Sequence, residues 1–85
     1  MKITKLQTLV EVNVIREVRV VYDTTAAGWT MLITYKANPE DKTEVLERQR
    51  GGPRVFATLE AALNVLTGLG IHEFQVSARE YRSGS

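Results

Sequence analysis

Residues 54–81 read RVFATLEAALNVLTGLGIHEFQVSAREY, and this stretch decides the fold. Thr58 is placed to cap a helix, because its hydroxyl can accept a backbone N–H from the first turn. Glu60, in that turn, suits the positive end of the helix dipole. Leu59, Ala62, Leu63 and Leu66 recur at spacings of three and four, which puts them on one face. Gly68 weakens the last turn, and Gly70 supplies the left-handed residue beyond the helix end, with Ile71 free to fold back on that turn. The spacing therefore predicts an amphipathic helix over about 58–69. The strand expected next runs from His72 to Ala78, with Phe74 and Val76 as inward anchors.

Upstream, the period changes from 3.6 to two. Val10, Val12, Val14, Val18, Val20 and Tyr22 occupy even positions, while Glu11, Asn13, Glu17, Arg19 and Asp23 occupy odd ones. Arg16 interrupts the apolar set, so a break is expected near Ile15-Arg16, with a firm strand from about Arg16 to Tyr22. Residues 23–28 (DTTAAG) form a turn signal. Trp29, Met31, Ile33 and Tyr35 then alternate with Thr30, Leu32, Thr34 and Lys36, giving a second strand and an antiparallel hairpin. Asn38 to Lys42 is a loop around Pro39. Residues 43–50 fit an edge strand or a short helix. Their charges favour the edge strand, ended by Gly51-Gly52-Pro53.

These elements predict an α+β two-layer domain of order β-β-β-α-β, in which one helix covers a three- to four-stranded, mainly antiparallel sheet. Residues 1–14 are expected to form an N-terminal arm, an extra strand or a helical turn. The domain spans 15–82, and 83–85 form a flexible tail.

Composition narrows the class. A chain of 85 residues holds one domain with a modest core. At 44% hydrophobic and 25% charged it is too apolar for a disordered segment. The absence of cysteine excludes disulfides and thiolate metal sites and suits a reducing cytoplasm. No apolar run approaches the roughly 20 residues that span a bilayer, and residues 1–7 (MKITKLQ) lack the apolar core of a signal peptide. A net charge of +1 is well below that of a dedicated nucleic-acid binder, although a local basic patch can still act.

No catalytic set emerges from the residue types. His72 is the only histidine, and its sequence neighbour Glu73 falls on the opposite face of a strand. The glycine pair at 51–52 lacks the Lys-Ser/Thr of a phosphate loop. Glu40, Asp41, Glu44 and Glu47 lack the alternating ligand spacing of a calcium loop. No cofactor is expected. Trp29 shares the parity of Met31 and Ile33, which makes it a core residue before it is an interface anchor. The one cluster with a chemical direction is Arg48, Arg50 and Arg54, with Lys36 nearby in sequence. On an edge strand Arg48 and Arg50 would share a face, offering guanidinium forks to phosphate or carboxylate groups.

Arg54, Phe56, Thr58, Leu59, Ala62, Leu66, Gly70, Ile71, Phe74, Val76, Ala78 and Tyr81 together resemble the ParC-family, partition-associated small proteins of bacterial plasmids and integrative elements. The shared pattern is an Arg-x-Phe, a Leu-x-x-Ala helix, a Leu-Gly-Ile stop and a Phe-x-Val-x-Ala strand. Ahead of it stand an Arg-Glu-Val-x-Val strand (16–20), a strand opening at Trp29, and Arg50-Gly51. The resemblance implies a role in plasmid maintenance and carries over no catalytic residue. Longer members continue into a charged helical tail, and a function housed there is not expected of this chain.

The reading that follows is a non-enzymatic protein-interaction module of a mobile genetic element, self-associating as a homodimer. Two alternatives remain open. One is a DNA-binding accessory factor that uses the arginines, and the other is an inhibitor of a host defence system.

Overall fold

One-sided alternation builds the centre of the molecule. In the computed structural model, which describes residues 1–78, the chain runs α1 (Ile3–Glu11), β1 (Ile15–Asp23), β2 (Gly28–Tyr35), β3 (Lys42–Val45), α2 (Leu59–Gly68) and β4 (Gln75–Ser77). The flexible tail expected over 83–85 and the domain end expected at 82 lie outside the described residues. β1 and β2 pair antiparallel, with Val18 opposite Ile33, Val20 opposite Met31 and Tyr22 opposite Trp29. Val18, Val20, Met31 and Ile33 are buried, because these opposed pairs put most of the large apolar side chains of the hairpin on one face. The register slips between Ile15 and Glu17, so the break expected at Arg16 is a bulge. Asp23 shapes the turn by accepting the Thr25 and Ala26 N–H groups. Trp29 packs edge-on against Tyr22, with ring centroids 5.2 Å apart.

The sheet is mixed, in the order β3-β2-β1-β4. β3 pairs antiparallel with β2, and β4 pairs parallel with β1. A chain that leaves one edge and returns parallel at the other must cross a face of the sheet, and α2 is in that crossover. The helix is built as its sequence predicts. Thr58 Oγ1 accepts the Ala61 N–H at 3.1 Å. Gly70 takes φ 84°, its N–H reaching Thr67 O, while the Ile71 N–H reaches Leu66 O. That pair of bonds satisfies the last carbonyls of the helix, and the left-handed residue between them is the reason for glycine. Ala62 and Leu66 are fully buried, with Leu59 partly so.

Three expectations change. Of the arm, extra strand or helical turn expected at the N-terminus, the segment takes the helical form and extends it beyond one turn; residues 3–11 form a second helix with Leu6 fully buried. The valine alternation misleads there, because Val10 lies in α1 and Val12 is its C-terminal cap, 59% exposed. Asn13, at φ 58°, then turns the chain into β1. The edge strand stops at Val45 and does not run to Arg50. The last strand begins at Gln75 rather than His72; Phe74, just before it, packs partly against the core, but Val76 is 43% exposed because it lies in the outermost strand of the sheet. The molecule is therefore a small α+β domain of four strands and two helices.

Leu6→Ala is expected to cost about 2–5 kcal/mol by opening a cavity beneath α1. Val12→Ala, at the exposed end of the same helix, should stay within about 0.5 kcal/mol. Urea unfolding followed by the fluorescence of buried Trp29 measures both. A Leu6→Ala loss below about 1 kcal/mol would show α1 to be a detachable arm.

Candidate functional site

Backbone pairing continues past β3. Leu46 donates its N–H to Met31 O, and Arg54 donates to Leu46 O, both at 2.8 Å. Arg48 donates to Gly52 O at 2.9 Å, and Glu47 stands opposite Pro53. Residues 46–54 thus fold into a tight hairpin, closed by the Gly51 N–H on Arg48 O at 3.0 Å. Gly51 and Gly52 adopt φ of 88° and 79°, a conformation that side chains with a Cβ resist. The glycine pair read from sequence as a stop is the turn itself. Arg48 and Arg50 accordingly stand at a turn rather than on one face of an edge strand.

Arg48 and Arg54 are brought together. They line a cleft of about 270 Å³ with Lys2, Ile3, Glu47 and Gln49. The Arg54 guanidinium lies 4.8 Å from the centre of the Phe56 ring. Phe56 is buried and exchanges two 2.8 Å backbone bonds with Trp29, so the arginine rests on a fixed platform. Lys2 donates its Nζ to Gln49 O and thereby bridges the start of α1 to the hairpin. Sequence reasoning missed Lys2, and no local signal exists for it, since it arrives from the far end of the chain. Arg50 is exposed in the turn and does not line the cleft. Lys36 is not part of the site. It follows β2, where its N–H donates to Val14 O, roughly 15 Å along the strand from Met31.

The carboxylates around the cleft are already engaged. Glu47 Oε1 accepts the Met1 α-amino group at 2.5 Å, and the same group donates to Val45 O at 2.8 Å. Glu44 accepts the Tyr35 hydroxyl and, at 3.0 Å, Lys5 Nζ. The Tyr35 hydrogen bond first, and Lys5 second, hold the Glu44 carboxyl below its ordinary range. The α-amino group does the same for Glu47, and Tyr35 and Glu44 together raise Lys5. Among the described residues, none of these ion pairs involves Arg48, Arg50 or Arg54.

Two further surfaces stand apart. Both helices cover the face of Val18, Val20, Met31 and Ile33. The opposite face carries Val21, Leu32 and Val45, all half-buried, among Thr30, Thr34 and Thr43. Glu17 and Arg19 stand on the same face, 3.5 Å apart, with Arg19 directly across from Leu32. Thr34 and Thr43 share a 2.8 Å hydrogen bond across it. Separately, an open groove of about 360 Å³ places exposed His72 near Glu17 and Glu73 over a floor that includes Ile15, Val18 and Ile71. No group of three His, Cys, Asp or Glu side chains suited to a metal occurs among the described residues, and no helix among them is long and apolar enough to cross a membrane.

Residues 2–83 match the sequence model of the ParC-like family. No curated protein and no solved structure matches the chain.

The electrostatics fix an acid limit. A carboxyl whose folded pKa is depressed stabilises the fold above its ordinary value, 4.5 for Glu44, and that contribution disappears as pH falls through the folded value. Lys5 acts in the opposite sense, its contribution being lost only as pH rises past 10.5. Stability should therefore drop below about pH 4.5, and Glu44→Gln should flatten that drop while lowering stability at neutral pH. Urea titrations at stepped pH check this, and an acid limb unchanged by Glu44→Gln would contradict it.

Proposed function

Because the chain belongs to the ParC-like family, we propose that it is a partition-associated accessory protein of a mobile genetic element. It works by docking rather than by catalysis, and its docking surface is the open face of the sheet. The observation that carries this reading is the asymmetry of the two faces. One lies under both helices, while the other leaves Val21, Leu32 and Val45 half-exposed side by side. Small β-branched and aliphatic groups on a flat sheet suit a protein surface better than a small ligand, which needs a concave site.

The occupant that fits this face is a second copy of the chain. Glu17 and Arg19 bring one charge of each sign to this face, beside Leu32. A two-fold axis running between them sets each charge against its opposite on the other subunit. The threonines around the apolar centre supply hydroxyls for the rim of such an interface.

Size-exclusion chromatography with light scattering should give a dimer. Leu32→Arg, which sets a second positive charge beside Arg19, should give a folded monomer with the circular dichroism of wild type and a melting point that no longer rises with protein concentration. A wild-type chain that remains monomeric at high concentration removes the homodimer. In cells, deleting the gene should raise the rate of plasmid loss, and Leu32→Arg should reproduce the effect. Unaltered plasmid retention would remove the partition role.

A further inference from the structure

The hairpin of residues 46–54 is not part of the docking face, and its chemistry is of a different kind. Three arginines stand on or beside a single turn, and the described residues offer them no carboxylate partner. We propose that this hairpin is a contact for duplex nucleic acid. Lys2, Arg48 and Arg54, gathered at the cleft, each take a backbone phosphate, and Arg50, at the turn, reaches into the neighbouring groove. The proposal does not depend on the dimer.

Four features support it. The first is charge. Among the described residues, Glu47 is the one carboxylate lining the cleft, and the Met1 α-amino group already engages it, so Lys2, Arg48 and Arg54 set the sign of the site. The second is preorganisation. Arg54 rests over Phe56, which is locked to Trp29 through two backbone bonds, and Lys2 is held to the Gln49 carbonyl. Side chains already held in place lose less freedom on binding. The third is geometry. The planar guanidinium fork matches two phosphate oxygens, and two such forks and an ammonium converge on one cleft of about 270 Å³. The fourth is shape. A two-stranded ribbon is one of the elements that a DNA major groove admits, and Arg48, Gln49 and Arg50 are exposed at this turn. A surface for acidic protein would need the same charge but not this narrow ribbon.

Fluorescence anisotropy with a short labelled duplex of mixed sequence tests the idea on the intact chain. With about three phosphate contacts, affinity should fall on the order of fortyfold between about 50 and 200 mM salt. Arg48→Ala and Arg54→Ala should each weaken binding and reduce the salt slope by about one. Arg48 is exposed, so its variant should melt like wild type. Arg54→Lys, which keeps the charge over Phe56, should preserve the fold while losing the fork and weakening binding. Lys36→Ala, at the other end of β2, should bind unchanged. Absence of binding at about 50 mM salt would overturn the proposal, as would a Lys36→Ala loss equal to that of Arg48→Ala. A poly-glutamate peptide that binds as tightly as the duplex would overturn it in favour of an acidic protein partner.

Discussion

The constraint on which the rest of this molecule depends is that its central hairpin gathers most of its large apolar side chains on one side. Val18, Val20, Met31 and Ile33 interlock across β1 and β2 and must be covered. A domain of this size has little material with which to cover them, and both helices are committed to that task. α2 supplies Ala62 and Leu66, and α1 supplies Leu6. Among the described residues, the opposite face then has no further element to cover it. Its half-exposed Val21, Leu32 and Val45 follow directly from where the helices had to go.

The same core positions the basic cleft. Trp29, near the start of β2, is buried against Tyr22, while its backbone holds Phe56. Phe56 in turn carries Arg54 on its ring. A charged side chain thus inherits the rigidity of the hydrophobic layer through one aromatic intermediary. The hairpin between β3 and α2 is tied at its base to the edge of the sheet, since Leu46 bonds to Met31 and Arg54 bonds to Leu46. The polar shell around Glu44 and Glu47 draws α1 into the same unit, because Lys5 and Met1 lie at one end of these ion pairs. Fold and candidate site therefore share their supports.

Several elements were legible because their signals are local. Thr58 and Gly70 act through bonds within their own helix, so cap and stop could be read from spacing. The alternation of β1 and β2 needs only neighbouring residues to show which face is buried. Other signals were ambiguous. Val10, Val12 and Val14 continue the even-position pattern of β1, yet Val10 belongs to a helix and Val12 caps it. A short run of valines satisfies both periods, and the burial of Leu6 against the sheet settled the matter. Similarly, residues 43–50 carry too few apolar positions to fix a period, so the end of β3 and the hairpin after it were decided by pairing with β2 and by the two glycines.

By itself, the sequence determined an α+β domain with a capped amphipathic helix, a central antiparallel hairpin and a group of arginines near a glycine pair. These depend on interactions between residues close in the chain, where spacing dictates geometry. The tertiary structure alone decided which arginines act together. Arg48 and Arg54 meet Lys2, whereas Lys36 is carried to the far end of β2 and Arg50 to the exposed turn. It also decided that both helices share one face, and so which surface stays open. Such juxtapositions arise from packing between distant segments, and no local periodicity encodes them.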